Sequence, residues 1–511
     1  MMMKKIVYIY QVLLVTFVCG ITSSCNDWLE VRPESETILE DYWRDESDVK
    51  SVVAACYRAM NEGGFIDRLI VWGEVRSDNV IKGPATNQNR DVERILDLML
   101  NATNGYTSWF EFYRVINYCN SVIYYAPGVR EKDPNFTEGQ LRAYLAEVKG
   151  IRALCYFTLV RTFRDIPFLT DPVFDDSHSF NAPQADPDEI IKFLIDDLKG
   201  IETSSPDGFE KVEYDQGRIT RKAIWALIAD MSLWINDYQT CIEYCDKITG
   251  LTLENSMVYN GNLFFQLNTS SEIIFNLLFT DFSNGPVHSM YGDLLSSFDF
   301  KNRTSLFEKD DLRAMDFFVQ NKVNDLFPIR KYIGYRQPRP GVTSENVGER
   351  DYIGLACYHW IFYRLADIYL MKAEALVERN TGNDLENAFD LVSDIFDRAN
   401  PELGAGFLNF GSYNSQGAMR DLVFDERQRE FLFEGKRYFD LLRRIKREGE
   451  TTNVVSRYLV RKYSSMNQST VLSKINNRDA LYMPINENEL KINLQLRQNP
   501  FYVVSSGISK N

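Results

Sequence analysis

Histidine is almost absent. Only His178, His288 and His359 occur in 511 residues. None has another His or Cys at metal-ligand spacing, so neither a zinc site nor a zinc-protease helix can be assembled from local sequence. No nucleophile elbow and no phosphate-cradling loop is present. Gly404-Ala405-Gly406 approaches a dinucleotide fingerprint, but Asn409 stands at the third glycine position and the segment reads as a loop. Cysteine is sparse, eight in all, and forms no disulfide framework. Cys56, Cys119, Cys155, Cys241, Cys245 and Cys357 sit among apolar residues; Cys241 and Cys245, four apart, share a helix face and read as buried thiols. Basic residues are in deficit, 57 against 72 acidic, a net charge of −15. Such a chain repels phosphate backbones, and nucleic acid is not an expected partner. After the N-terminus, no apolar stretch approaches the about 20 residues a membrane-spanning helix needs.

The N-terminus carries a strong signal. Met1–Lys5 is basic, Ile6–Gly20 is largely apolar, and Ile21-Thr22-Ser23-Ser24 leads into Cys25. Basic start, apolar middle and small-residue cleavage site make a secretory signal peptide over 1–24. A Cys directly after two serines is similar to a bacterial lipobox. Cleavage before Cys25 and lipidation of its thiol would leave lipid chains, not a helix, at the membrane. Loss of Lys4 and Lys5 leaves 55 basic against 72 acidic residues, a net charge of −17.

Apolar residues, 45 % of the chain, are enough for a full core. Their spacing is helical. Val49, Val52, Val53, Cys56 and Met60 repeat at three and four behind Asp45, Glu46 and Asp48, which suit a helix start. Asp186-Pro187-Asp188-Glu189 has the form of a capping box with Pro at the first helical position. It precedes a stripe of Ile190, Ile191, Leu194, Ile195, Leu198 and Ile201. Helices are expected over 220–234 and 238–248, joined at Asn236-Asp237, and over 362–379 and 385–399. Small residues such as Ala226, Ala229, Ala373 and Ala375 suit close antiparallel pairs similar to tetratricopeptide units, each stacking on the next to complete its core.

Two regions lack this period: 80–108, and 250 to about 356, with its short apolar runs and turns such as Asn284-Gly285-Pro286. Long loops on a helical scaffold are where binding residues gather. Aromatics make up 13 % of the chain, including 28 Tyr and 33 Phe, and most must pack the core. Those in the irregular regions can offer a sugar a stacking face, with amides, carboxylates and Arg meeting its hydroxyls. The ligand-binding candidates are therefore Arg76, Asp78, Asn87, Asn89, Tyr106, Phe282, Tyr291, Tyr332 and Tyr335. No residue is assigned a catalytic role, although 72 acids leave room for a glycosidase pair. No cofactor is expected, and a calcium ion among the acidic loops is left open.

Several segments in order resemble the RagB/SusD family. Cys25-Asn26-Asp27-Trp28-Leu29-Glu30 resembles its mature start, and Glu74-Val75-Arg76-Ser77-Asp78-Asn79 an early Ser-Asp motif. Trp109, Tyr113, Ile116, Asn117 and Asn120 fit one helix pattern; Glu147, Arg152-Ala153, Tyr156-Phe157 and Asp165-Ile166-Pro167 fit the next. Most specific are Glu426-Arg427-Gln428-Arg429-Glu430-Phe431 running into Glu434-Gly435-Lys436-Arg437-Tyr438-Phe439-Asp440-Leu441-Leu442-Arg443, and Pro484-Ile485-Asn486-Glu487 before Gln498-Asn499-Pro500. Phe501 departs from the pattern, where Gly often follows. The alternating charges suit ion pairs between helices or to loops rather than catalysis.

The resemblance implies an all-α-dominated array of tetratricopeptide-like helix pairs with a loop-rich, partly irregular ligand-binding portion. It implies one domain over 25–511, with a helical part at 25–249, a loop-rich insertion at 250–356 and a family-typical part at 357–511. It further implies a lipid-anchored outer-membrane protein of Bacteroidetes-type bacteria, facing outward and capturing a glycan for a SusC-like TonB-dependent transporter. Peptide binding, a scaffold without a ligand, and a glycoside hydrolase are the alternatives.

Overall fold

The computed structural model describes residues 42–173, 181–209, 211–254, 263–264, 270–279, 286–303, 305–318, 322–332, 358–404 and 406–505. The signal segment, Cys25, His178, Phe282, Tyr335 and Cys357 lie outside them. Helices dominate. In chain order the main ones are α1 (Glu46–Asn61), α2 (Phe110–Lys132), α3 (Glu138–Phe163), α4 (Pro187–Lys199), α5 (Arg221–Trp234), α6 (Tyr238–Lys247), α7 (Leu365–Arg379), α8 (Asp384–Ala399), α9 (Gln416–Glu430) and α10 (Arg437–Glu448).

Each start has a local cause. Asp45 accepts from the Ser47 amide at 2.9 Å, and Asp186 caps α4 through Asp188 and Glu189 with Pro187 at the first position. The reciprocal half of the Asp186 box does not form, because Glu189 pairs with Lys192 at 2.8 Å instead. Thr137 and Gln140 make a complete box at α3. Between α5 and α6, Asn236 turns the chain with φ +64° and Asp237 caps Thr240.

The helices pack as antiparallel-type neighbours, α2 on α3, α5 on α6 and α7 on α8, with α1 against α2 and α6 against α7. The expected stripes face inward: Ile190, Ile191, Leu194, Ile195 and Leu198 of α4, and Ala388, Val392, Ile395 and Phe396 of α8, are buried. Burying each large side chain contributes about 1.5–3 kcal/mol. Cys241 and Cys245 are free, buried thiols of α6.

Strands are few and short. Those of three or more residues are β1 (Val80–Lys82), β2 (Ile273–Phe279), β3 (Leu295–Ser297) and β4 (Tyr358–Arg364), with β1 antiparallel to β3 and β2 to β4, and a two-residue antiparallel pair joins Ile166–Pro167 to Gln184–Ala185. The helix expected over 362–379 is therefore three residues too long at its start. Phe362, Tyr363 and Arg364 belong to β4, and Arg364 pairs with Ile273. The run Tyr-His-Trp-Ile-Phe-Tyr-Arg is wholly buried, carries no helical period and favours a pleated partner. His359 lies inside β4 opposite Leu278.

The family-like motifs fasten loops to helices. From α2, Tyr113 Oη donates to the Pro167 carbonyl at 2.6 Å and Asn120 Nδ2 to Leu169 at 3.0 Å. Tyr156 Oη donates to the same Leu169 carbonyl at 2.7 Å. In α3, buried Arg152 bridges Asn120 and Asp197, and Glu147 accepts from Arg218 and Tyr57.

The charged motif of α9 and α10 makes a buried ion network. Arg313 reaches Glu426 at 2.6 Å and Glu430 at 3.1 Å, and Arg364 reaches Glu272, Glu430 and Glu434 at 2.6–2.8 Å. Arg398 also pairs with Glu430, and Lys331 meets Glu434 at 2.7 Å. Arg443 joins Glu374 at 2.6 Å to Asp440 at 2.8 Å, and Arg427 also holds Asp440. Arg429–Glu426 and Arg443–Asp440 follow the along-helix spacing within this group, and the other pairs join separate elements. The network ties α7, α9, α10 and the β2–β4 ribbon together.

Candidate functional site

The helix Gly63–Ile70 runs into a wide turn, Val71–Val75, whose Glu74 is fully buried. Glu74 accepts from Asn79 Nδ2 at 2.6 Å and from the amides of Phe433 and Gly435 at 3.2 and 3.1 Å. Burial pushes its carboxyl up to about 8 against the pull of these donors. The segment that follows is thereby fixed to the α9–α10 connection. It carries two of the expected ligand residues, Arg76 and Asp78, and they line different cavities.

Arg76 lines a cavity of about 370 Å³. Its guanidinium lies 4.4 Å from the centroid of the Tyr438 ring and donates to the Ala480 carbonyl at 3.1 Å. Tyr463, Phe501 and Tyr502 add rings, and Leu98, Met99 and Leu100 form an apolar rim beside exposed Asn101. Burial pushes the Tyr502 hydroxyl up to about 12, so it stays a neutral donor.

The rim is held in an unusual conformation. After the helix Arg90–Leu96, the Leu98 amide donates to Ile95 and the Met99 amide to Arg94, with Leu98 at φ +56°. This helix ending usually employs Gly, and a branched side chain there is strained. Lys474 Nζ holds the Leu98 carbonyl at 2.8 Å. The strained turn leaves Met99 60 % exposed at the cavity edge. Among the described residues, the lining contains Arg76, Asn101 and Lys474 but no Asp, Glu, His, Ser or Cys, so these residues supply no glycosidase carboxylate pair. It can stack planar or apolar faces and direct hydrogen bonds through Arg76, Asn101 and the tyrosine hydroxyls.

The remaining candidates fall into three groups. Asn89 and Tyr106 are brought together: Asn89 Nδ2 donates to Tyr106 Oη at 3.1 Å, while Asn89 Oδ1 caps Val92. Trp72 Nε1 donates to the Tyr106 carbonyl, and Asn87 is exposed nearby in sequence. Asp78 is buried in a two-point pair with Arg437, at 2.8 and 3.1 Å, and accepts from Gln428.

Tyr291 and Tyr332, expected at the ligand surface, are instead core residues, each 1 % exposed. Their rings stack at 5.8 Å, Tyr332 stacks on Trp360 at 5.7 Å, and Tyr291 Oη donates to Phe433. Covering these rings by β4 and the α9–α10 connection outweighs any surface role. Sequence reading missed Leu98, Met99, Tyr438, Tyr463, Lys474 and Tyr502. The one local signal was Leu98-Met99-Leu100, three apolar residues in an otherwise polar loop.

Among the described residues, no three His, Cys, Asp or Glu come together as a metal site, and no helix is long and apolar enough to cross a membrane.

Comparison with known proteins agrees with this architecture. The SusD family model matches residues 317–502. SusD-like protein P38 of Formosa agariphila is 25 % identical over 498 residues, covering 86 % of this chain and 92 % of that protein. Surface glycan-binding protein A from Bacteroides uniformis shares the fold at a TM-score of 0.68 and 19 % identity, over 89 % of this chain and 99 % of that one. A laminarin-binding SusD-like protein does so at 0.64 and 20 %, over 90 % and 100 %. With its helical array, its α9–α10 charge motif and these matches, the chain is similar to SusD-family proteins over most of its length.

Proposed function

We propose that this protein is a non-enzymatic glycan-binding subunit of a nutrient importer. It is held at the outer membrane by lipid on Cys25, faces outward and hands its ligand to a SusC-like TonB-dependent transporter. The observation that carries the reading is the cavity of about 370 Å³ that sets Tyr438, Tyr463 and Tyr502 beside Arg76 with no carboxylate among its described lining residues. Rings bury the apolar faces of sugars, and the guanidinium and hydroxyls meet their oxygens. The glycan-binding names of the two fold relatives support the same ligand class.

Calorimetric titration against plant, microbial and host polysaccharides tests it, with a parallel assay for reducing ends. Saturable heat with one glycan class and no released ends is the expected result. A peptide ligand is the second reading. Ile95, Leu98, Leu100, Leu459 and Ile475 give the cavity an aliphatic side that suits apolar side chains. Heat from short peptides, with none from glycans, would select it.

A further inference from the structure

A second cavity, of about 200 Å³, lies across the segment that separates Arg76 from Asp78. The two cavities share walls: Leu459 lines the first and its neighbour Tyr458 the second. We propose that the second cavity binds one polyhydroxylated ring, a single sugar unit, between Asp425, Gln428 and Arg461.

The argument begins with what the protein leaves unused. Gln428 is 5 % exposed; its Nε2 donates to Asp78 Oδ2 at 3.1 Å and Asn79 Oδ1 at 2.8 Å, but its Oε1 takes no donor among the described residues. Asp425 is half-buried, and neither of its oxygens has a hydrogen-bond or ion-pair partner among the described residues. These groups line the cavity with hydrogen-bonding capacity that the described residues leave unused. Burial pushes the Asp425 carboxyl up from its ordinary value, against the pull of Arg429, Arg437 and Arg457. Arg461 is exposed and makes no ion pair among the described residues, and exposed Ser305 carries a free hydroxyl at the edge. By contrast Asp78 is engaged by Arg437, and Arg429 by Glu426 and the Leu306 carbonyl.

The cavity therefore offers two acceptors, one strong donor and one hydroxyl, spread around a small volume. A fully anionic ligand would meet Asp425, and an apolar one would leave Gln428 Oε1 and Asp425 dry. A ring of hydroxyls satisfies both, donating to Asp425 and Gln428 and accepting from Arg461. The volume holds one ring and not a chain, so the ligand is a monosaccharide or the terminal unit of a longer glycan. This inference shares the glycan class proposed for the first cavity but uses none of its residues.

The test is ligand-observed NMR titration of the purified protein with methyl glycosides of glucose, galactose, mannose and glucuronic acid. Asp425→Ala and Arg461→Ala remove no hydrogen bond or ion pair among the described residues, so both variants should stay close to the wild-type melting temperature. At least one glycoside is expected to saturate. Asp425→Ala should weaken it tenfold or more, Arg461→Ala several-fold, and Arg76→Ala not at all. Failure of every glycoside to bind would overturn the proposal, as would unchanged affinity in Asp425→Ala. Loss in Arg76→Ala would also overturn it, by moving the sugar to the first cavity. If polysaccharides give no heat while a glycoside binds in an Asp425-dependent way, the first-cavity reading fails and this one stands.

Discussion

The ammonium of Lys462 lies 2.6 Å from the carbonyl oxygen of Val75, and it donates a second bond to Ser77 at 2.8 Å. Among the described residues it forms no ion pair, and it holds the carbonyls on either side of Arg76, in the segment whose Arg76 and Asp78 line the two cavities. Burial lowers its pKa from 10.5 to about 7, with Asp78 and Glu74 pulling it up and Arg76 pushing it down. The folded chain thus holds this proton less tightly than the unfolded chain. Between pH 7 and 10.5 the unfolded state binds more of it, so this group makes stability rise with pH across that window. Urea midpoints of wild type and Lys462→Met measured from pH 6 to 10 should converge or cross as pH rises, with wild type gaining relative to the variant. A constant difference between them would count against the account.

Glu430 receives Arg313, Arg364 and Arg398 in the core. Replacing it by Ala strands buried guanidinium charge, and the expected loss is about 3–5 kcal/mol in denaturant unfolding. The guanidinium groups hold Glu430 well below the usual carboxylate range, and Arg364 and Lys331 hold Glu434 at about 2, although burial opposes both shifts. Both folded values are depressed, so their contribution is complete above about pH 4.5 and is lost as pH falls toward 2. Acid unfolding followed by circular dichroism should show its main transition in that interval and should move upward in Glu430→Gln.

A methyl group on Gly73 would stand 1.8 Å from the Gly435 carbonyl oxygen, and Gly435 itself sits at φ +70°. Backbone meets backbone there, so no side chain can yield. Gly73→Ala should lower stability by about 3 kcal/mol, read from the urea midpoint, and should release Glu74 from its donors.

Leu98 occupies a conformation suited to Gly. Leu98→Gly should raise the melting temperature, reflecting up to about 1 kcal/mol of relieved strain. It should also weaken ligand binding, because the rim loses an apolar contact and its hold on Met99.

Regular parts of this fold were legible where period and caps agreed. The helices near 220–234, 238–248 and 385–399 carry apolar residues at three and four, and their structural bounds differ by a residue at most ends. The start of α7 was misread because an aromatic strand has no period to oppose the helix that follows it. The charge alternation from Glu426 to Arg443 did announce bridging between elements. Its partners, Arg313, Lys331 and Arg364, lie up to 117 residues away and have no signature of their own. The first cavity joins Arg76, 98–101, Tyr438 and Tyr502, positions that only folding brings together. Tyr291 and Tyr332 misled because a tyrosine in a loop-rich region looks the same whether its ring is covered or bare.

The most direct test is the affinity of the purified protein for its polysaccharide, compared between wild type and Arg76→Ala by calorimetry. The account predicts a loss of tenfold or more, with the protein still folded at the assay temperature despite losing the Ala480 and Tyr438 contacts. Equal affinity in the two proteins would contradict the assignment of ligand binding to this cavity.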